Sequence, residues 1–143
     1  MTKRTSTAIW KGNGMQGQGT LSTPSGVFRE QPFSFRTRFQ NEDGRAGTNP
    51  EELIGAAHAG CFAMALSFAL AEKGFTAEEL KVAATVKLDK QGNGFAITGI
   101  DLVLEARVPG LPPAPLREVA EGAKRDCPVS KALSATPISL TIP

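Results

Sequence analysis

Two cysteines, Cys61 and Cys127, and a single histidine, His58, are the residues here best suited to nucleophilic, redox or metal chemistry. A plain thiol, with a pKa near ~8.5, is only a few per cent ionised at neutral pH, so its surroundings decide its reactivity. Cys61 falls inside a long apolar run, where a thiol is usually inert core. Cys127 precedes Pro128 and is expected at the start of a helix, where free N–H groups favour a thiolate. The two can form a redox couple only if the fold brings their Cα atoms within about 7 Å. His58 stands three residues before Cys61 and shares its helix face. It reads as a base beside the thiol, as a metal ligand with both cysteines, or as a core or interface histidine. Without a CxxC or HxxxH pair the metal signature is weak, and packing is the plainer role. Phe33-Ser-Phe-Arg-Thr-Arg-Phe39 adds cations. Its period of two predicts a half-buried strand with Arg36 and Arg38 side by side on one face, and Arg36 reads as solvated.

The elements that must position these residues are legible in outline. Ser6 to Trp10 reads as a strand, followed by a glycine-rich turn over 12–19 that lacks the Lys-Ser or Lys-Thr of a phosphate loop. After a turn-rich loop at 41–47, Asn49 can cap a helix, Pro50 suits its first position, and Glu51 and Glu52 complement the dipole. The apolar run from Leu53 to Ala71 is almost long enough to span a bilayer. It is rich in Ala and Gly, contains a His and a Ser, and has strands around it, so it is expected to be a central core helix closed by Lys73 and Gly74. Val82 to Asp89 and Phe95 to Val108 read as strands around a hairpin turn at 90–94. The proline-rich 109–115 ends the second of them. Leu116 to Lys124 reads as an amphipathic helix, Cys127 to Leu133 as a short helix, and Ile138 to Ile142 as a strand. The sum is an α+β fold with mostly antiparallel strands, expected as one domain over 1–143.

Composition narrows the function classes. The 143 residues hold 41% apolar and 21% charged side chains, as a globular domain does. Sixteen Lys and Arg stand against fourteen Asp and Glu, for a net charge of +2, which does not make a nucleic-acid surface. With no Tyr and one Trp, there is no stacking platform for single strands either. The N-terminus lacks the apolar core of a signal peptide, so the expected location is the cytoplasm, where thiols stay reduced.

Two motifs carry a resemblance. Gly47-Thr-Asn-Pro-Glu-Glu-Leu-Ile-Gly-Ala-Ala-His-Ala-Gly-Cys-Phe-Ala-Met-Ala-Leu66, followed later by Asp126-Cys-Pro-Val-Ser130, resembles the OsmC/Ohr family. The His-Ala-Gly-Cys wording is similar to the OsmC (osmotically inducible protein C) branch. The early Trp10, Gly26-Val27 and Leu88-Asp89-Lys90 extend the likeness over nearly the whole chain.

The resemblance implies an OsmC-like fold in intertwined homodimers and a thiol peroxidase that reduces organic hydroperoxides in oxidative or osmotic stress. It implies Cys61 as the peroxidatic cysteine, oxidised to a sulfenic acid, and Cys127 as the resolving cysteine that condenses with it to a disulfide. It implies no cofactor beyond this pair, which an external dithiol or lipoyl-type reductant restores. Arg38 matches the family's active-site arginine, with Arg36 in reserve, and Glu51 its glutamate. The guanidinium would stabilise the thiolate, held by the carboxylate. On one straight helix Glu51 would lie ~15 Å from Cys61 along the axis, so either the first turns break away or the residues converge from two chains. Phe62, Met64 and Phe68 suggest an apolar substrate pocket and equally fit a core. Two other functions remain at this stage: a non-catalytic binder or thiol stress sensor on the same dimer cleft, and a Cys–His hydrolase using His58 and Cys61.

Overall fold

In the computed structural model, which describes residues 1–143, three short strands open the chain. β1 (Thr7–Lys11), β2 (Gln18–Ser22) and β3 (Gln31–Ser34) form an antiparallel sheet in that order. The Asn13 side chain accepts from the Met15 and Gln16 amides and shapes the glycine-rich turn as a hairpin. Trp10 and Phe33 meet across Gly19 with ring centroids 5.4 Å apart, and a Cβ at Gly19 would run into both rings. This sheet belongs to a first unit, Met1–Leu53; a second comprises Ile54–Pro143.

The strand expected over 33–39 stops at Ser34 and gives way to a short helix, α1 (Phe35–Phe39). The reason is a capping box: the Thr37 amide donates to Ser34 Oγ at 3.3 Å, and the Ser34 amide donates to Thr37 Oγ1 at 2.9 Å. Phe35 and Phe39 also fit helical spacing, with ring centroids 4.8 Å apart. On a helix, residues two apart point away from each other, so Arg36 and Arg38 are not side by side.

α2 (Pro50–Glu72) begins as its cap residues predict, with Asn49 Oδ1 accepting from the Glu52 amide at 2.8 Å. It ends on a Schellman turn: Gly74 has φ 82°, its amide donates to Ala71 O, and the Phe75 amide donates to Leu70 O. β4 (Glu79–Gln91) and β5 (Gly94–Arg107) form one long antiparallel hairpin. α3 (Pro113–Asp126) and α4 (Pro128–Ala132) then carry the chain over to β6 (Ile138–Thr141). β6 pairs with β5 in parallel, an orientation the final strand's period did not reveal. Side chains alternate along β5, and the alternation buries Ile100, Leu102 and Leu104.

These three side chains share a core with Phe62, Leu66 and Leu70 of α2 and Val119, Ala120, Ala123 and Cys127 around α3. The helix is long and apolar enough to cross a membrane by length and composition, yet one stripe of it, His58, Phe62, Leu66 and Leu70 at four-residue spacing, is buried in this core. That stripe makes it a core helix of this fold. Another face is open in the single chain, where Met64 and Phe68 are 63% and 66% exposed. Phe62 is core, so it lines no substrate pocket. Leu66→Ala is expected to destabilise the fold by about 2–5 kcal/mol, read from the urea midpoint at unchanged slope; a loss under about 1 kcal/mol would contradict this core assignment.

Candidate active site

In the first unit, Arg38 and Glu51 form a two-point ion pair. Arg38 Nε donates to Glu51 Oε2 at 3.2 Å and Nη2 to Oε1 at 2.6 Å. The fork geometry fixes the guanidinium plane as a single contact could not. The Glu51 side chain is only 11% exposed, that of Arg38 36%, so the pair is shielded on the carboxylate side and open on the cationic one. Arg38 also lies over the Phe39 ring, 5.0 Å from its centroid. Arg36 is exposed, as expected.

In the second unit, the two sulfurs meet. Cys61 on α2 and Cys127 at the α3–α4 junction are both free, and Cys127 Sγ donates to Cys61 Sγ at 2.9 Å. Sixty-six positions of sequence separate them, so the contact is a product of the fold. Cys127 closes α3 by donating its amide to Ala123 O and precedes α4, as Pro128 predicts. With one proton between two neighbouring sulfurs, only one of them ionises readily. Burial pushes Cys127 up, but the Cys61 sulfur beside it and the nearby Ser130 amide and hydroxyl and Val129 amide bring it below the ordinary thiol value. Burial pushes Cys61 up, its bond to Cys127 and the charge there add to this, and the Val129 amide only partly offsets it. The influences on Cys61 in this chain include no cation.

His58 is fully buried and turned to Ser130, with Nε2 2.8 Å from Oγ. Its Nδ1 has no partner. It therefore makes no hydrogen bond to Cys61 of the kind a Cys–His hydrolase needs. No group of three or more His, Cys, Asp or Glu is arranged to hold a metal ion. Sequence reasoning does not single out Ser130; the available signal was its place three residues after Cys127, in the first turn of α4.

The family described as OsmC-like protein matches residues 41–142, a span that carries Glu51 and both cysteines. The chain belongs to the OsmC-like family. Peroxiredoxin OsmC of Escherichia coli strain K12 is 52% identical over 128 residues, covering 90% of this chain and 87% of the relative. The organic hydroperoxide resistance protein of Xanthomonas axonopodis pv. citri is 36% identical over 92 residues, covering 62% and 61%. Among solved structures, the organic hydroperoxide resistance protein OhrB of Bacillus subtilis superposes with a TM-score of 0.76 at 26% identity, over 97% of this chain and 98% of that one. This OsmC-like chain is an enzyme, a peroxidase whose chemistry is carried by cysteine.

Proposed function

We propose that this chain reduces organic hydroperoxides to alcohols, with Cys61 as the attacking sulfur, Cys127 as the resolving sulfur, and Arg38 and Glu51 as the pair that charges the site. The observation that carries the reading is the 2.9 Å approach of the two sulfurs. The Cys61 thiolate attacks one peroxide oxygen; the O–O bond breaks, an alkoxide leaves, and Cys61 becomes a sulfenic acid. The Cys127 thiolate then attacks that sulfur; an S–S bond forms, the S–O bond breaks, and hydroxide leaves to be protonated. A dithiol or lipoyl-type reductant attacks the disulfide, closes its own, and returns both thiols.

The first step needs charge on Cys61, which burial and Cys127 oppose within one chain. A guanidinium at ~4 Å contributes roughly 4 kcal/mol at an effective dielectric of ~20 and favours charge on the nearer sulfur. α2 runs unbroken from Pro50 to Glu72, so the first turns do not break away, and ten residues of helix amount to ~15 Å. We therefore assign the cation to a second copy: a homodimer whose sites each join the Arg38–Glu51 pair of one chain to the sulfurs of the other. The exposed Met64 and Phe68 on α2 support a partner on that face. Within this dimer each chain acts as a single OsmC-like domain, in the reducing cytoplasm, defending against oxidative or osmotic stress.

With a dithiol as reductant, kcat/KM for tert-butyl or cumene hydroperoxide is expected to exceed that for hydrogen peroxide by about tenfold or more, as a few buried alkyl groups allow. Equal rates would remove the alkyl preference. Slow, stoichiometric oxidation of Cys61 without turnover would instead mark a binder or thiol sensor.

A further inference from the structure

The reaction above leaves His58 unused, although α2 places it one turn before Cys61 and buries it completely. Its Nε2 contacts Ser130 Oγ at 2.8 Å, and its Nδ1 is buried with no partner. Ser130, itself buried, stands three residues after Cys127 in the first turn of α4, and its hydroxyl and amide favour charge on that sulfur. A serine hydroxyl has one proton to give. If that proton went to His58, none would remain for sulfur. If Nε2 carries the imidazole proton, Ser130 Oγ accepts it and turns its own proton to Cys127. The orphaned Nδ1 decides between the two, because a buried N–H without an acceptor is rarer than a buried acceptor left bare. Nδ1 then holds the lone pair and Nε2 the proton.

We propose that His58 and Ser130 form a buried donor relay, Nε2–H to Oγ–H to Cys127 Sγ, that holds the resolving sulfur as a thiolate until it attacks. His58 is a positioning residue: it acts through Ser130 and touches no substrate. The proposal rests on Cys127 being the resolving sulfur. In the resting pair, with the second copy's guanidinium holding the charge on Cys61, Cys127 keeps its proton and donates it toward Cys61. When the Cys61 thiolate takes an oxygen from the hydroperoxide, the departing alkoxide takes that proton. The products are Cys61 sulfenic acid, the alcohol and a Cys127 thiolate. The Ser130 hydroxyl stabilises this charge until the S–S bond forms and hydroxide leaves. The imidazole stays neutral throughout, since burial lowers its pKa.

Rapid mixing with cumene hydroperoxide separates the two steps, and mass spectrometry counts sulfinic acid at Cys61. Ser130→Ala and His58→Leu are expected to slow disulfide formation about tenfold or more, as loss of a hydrogen bond to a charged group does, with Cys61 oxidation changed less than about twofold. His58→Gln, which keeps an N–H donor, should recover most of the rate. Nitrogen-15 spectra of the reduced wild-type protein should show Nε2 protonated and Nδ1 bare. The relay is overturned if Ser130→Ala slows neither step or both alike, if His58→Gln is as slow as His58→Leu, or if Nδ1 bears the proton. A wild-type chain that forms no Cys61–Cys127 disulfide would overturn the functional reading itself, whatever tautomer the spectra show.

Discussion

Cys61→Ser is expected to end peroxidase turnover, with kcat/KM for any organic hydroperoxide falling at least ~10³-fold, because a serine hydroxyl is not oxidised and the nucleophile is lost outright. Cys127→Ser should behave differently. Its first step should survive, since the attacking sulfur remains, and one equivalent of alcohol should form per site. The sulfenic acid then has no thiolate within reach, so it persists or is oxidised further to sulfinic acid. A dithiol-dependent steady state should be lost or strongly slowed. Measuring alcohol released per site over time separates the two variants. Multiple turnovers by Cys61→Ser would overthrow the assignment of the attacking sulfur, and full steady-state activity of Cys127→Ser would remove the resolving role.

Arg38→Met should lower the rate of Cys61 oxidation by about 10²–10³-fold, the usual effect of removing one preorganised charge partner from a reacting centre. Arg38→Lys should recover little, because a single ammonium cannot reproduce the two-point contact with Glu51 at 3.2 and 2.6 Å. The sharper experiment mixes chains. If the cation and the sulfurs of a site come from different chains, an Arg38→Met chain paired with a Cys61→Ser chain regenerates one intact site per mixed dimer. Random exchange should then restore about a quarter of wild-type activity, since half of the dimers are mixed and each has one working site. No recovery after proven exchange would place the whole site within one chain.

How far these residues could be read from the sequence follows from the range of the interactions that fix them. The Asn49 cap, the glycine that ends α2, the 90–94 turn and the alternation of β5 are set by neighbours a few positions away, and the fold agrees with each. Phe33 to Phe39 misleads because its residues satisfy two periods at once; the Ser34–Thr37 box, local and in plain view, decides for helix. The parallel pairing of β6 is decided by packing across α3 and α4, which a four-residue strand does not encode. Resemblance singled out both cysteines, but the meeting of their sulfurs is a long-range property of the fold. The same holds for His58, whose partner Ser130 lies seventy-two positions away, so the sequence left three roles open.

In the proposed cycle both sulfurs belong to one chain and already touch, so closing the bond between them is a unimolecular event with its own fixed clock. Destruction of the oxidised intermediate is bimolecular and quickens in proportion to the oxidant. The two must cross at some dose, and effective concentrations for well-oriented groups set that crossing high. Below this ceiling the enzyme cycles; above it, the enzyme burns out like a fuse.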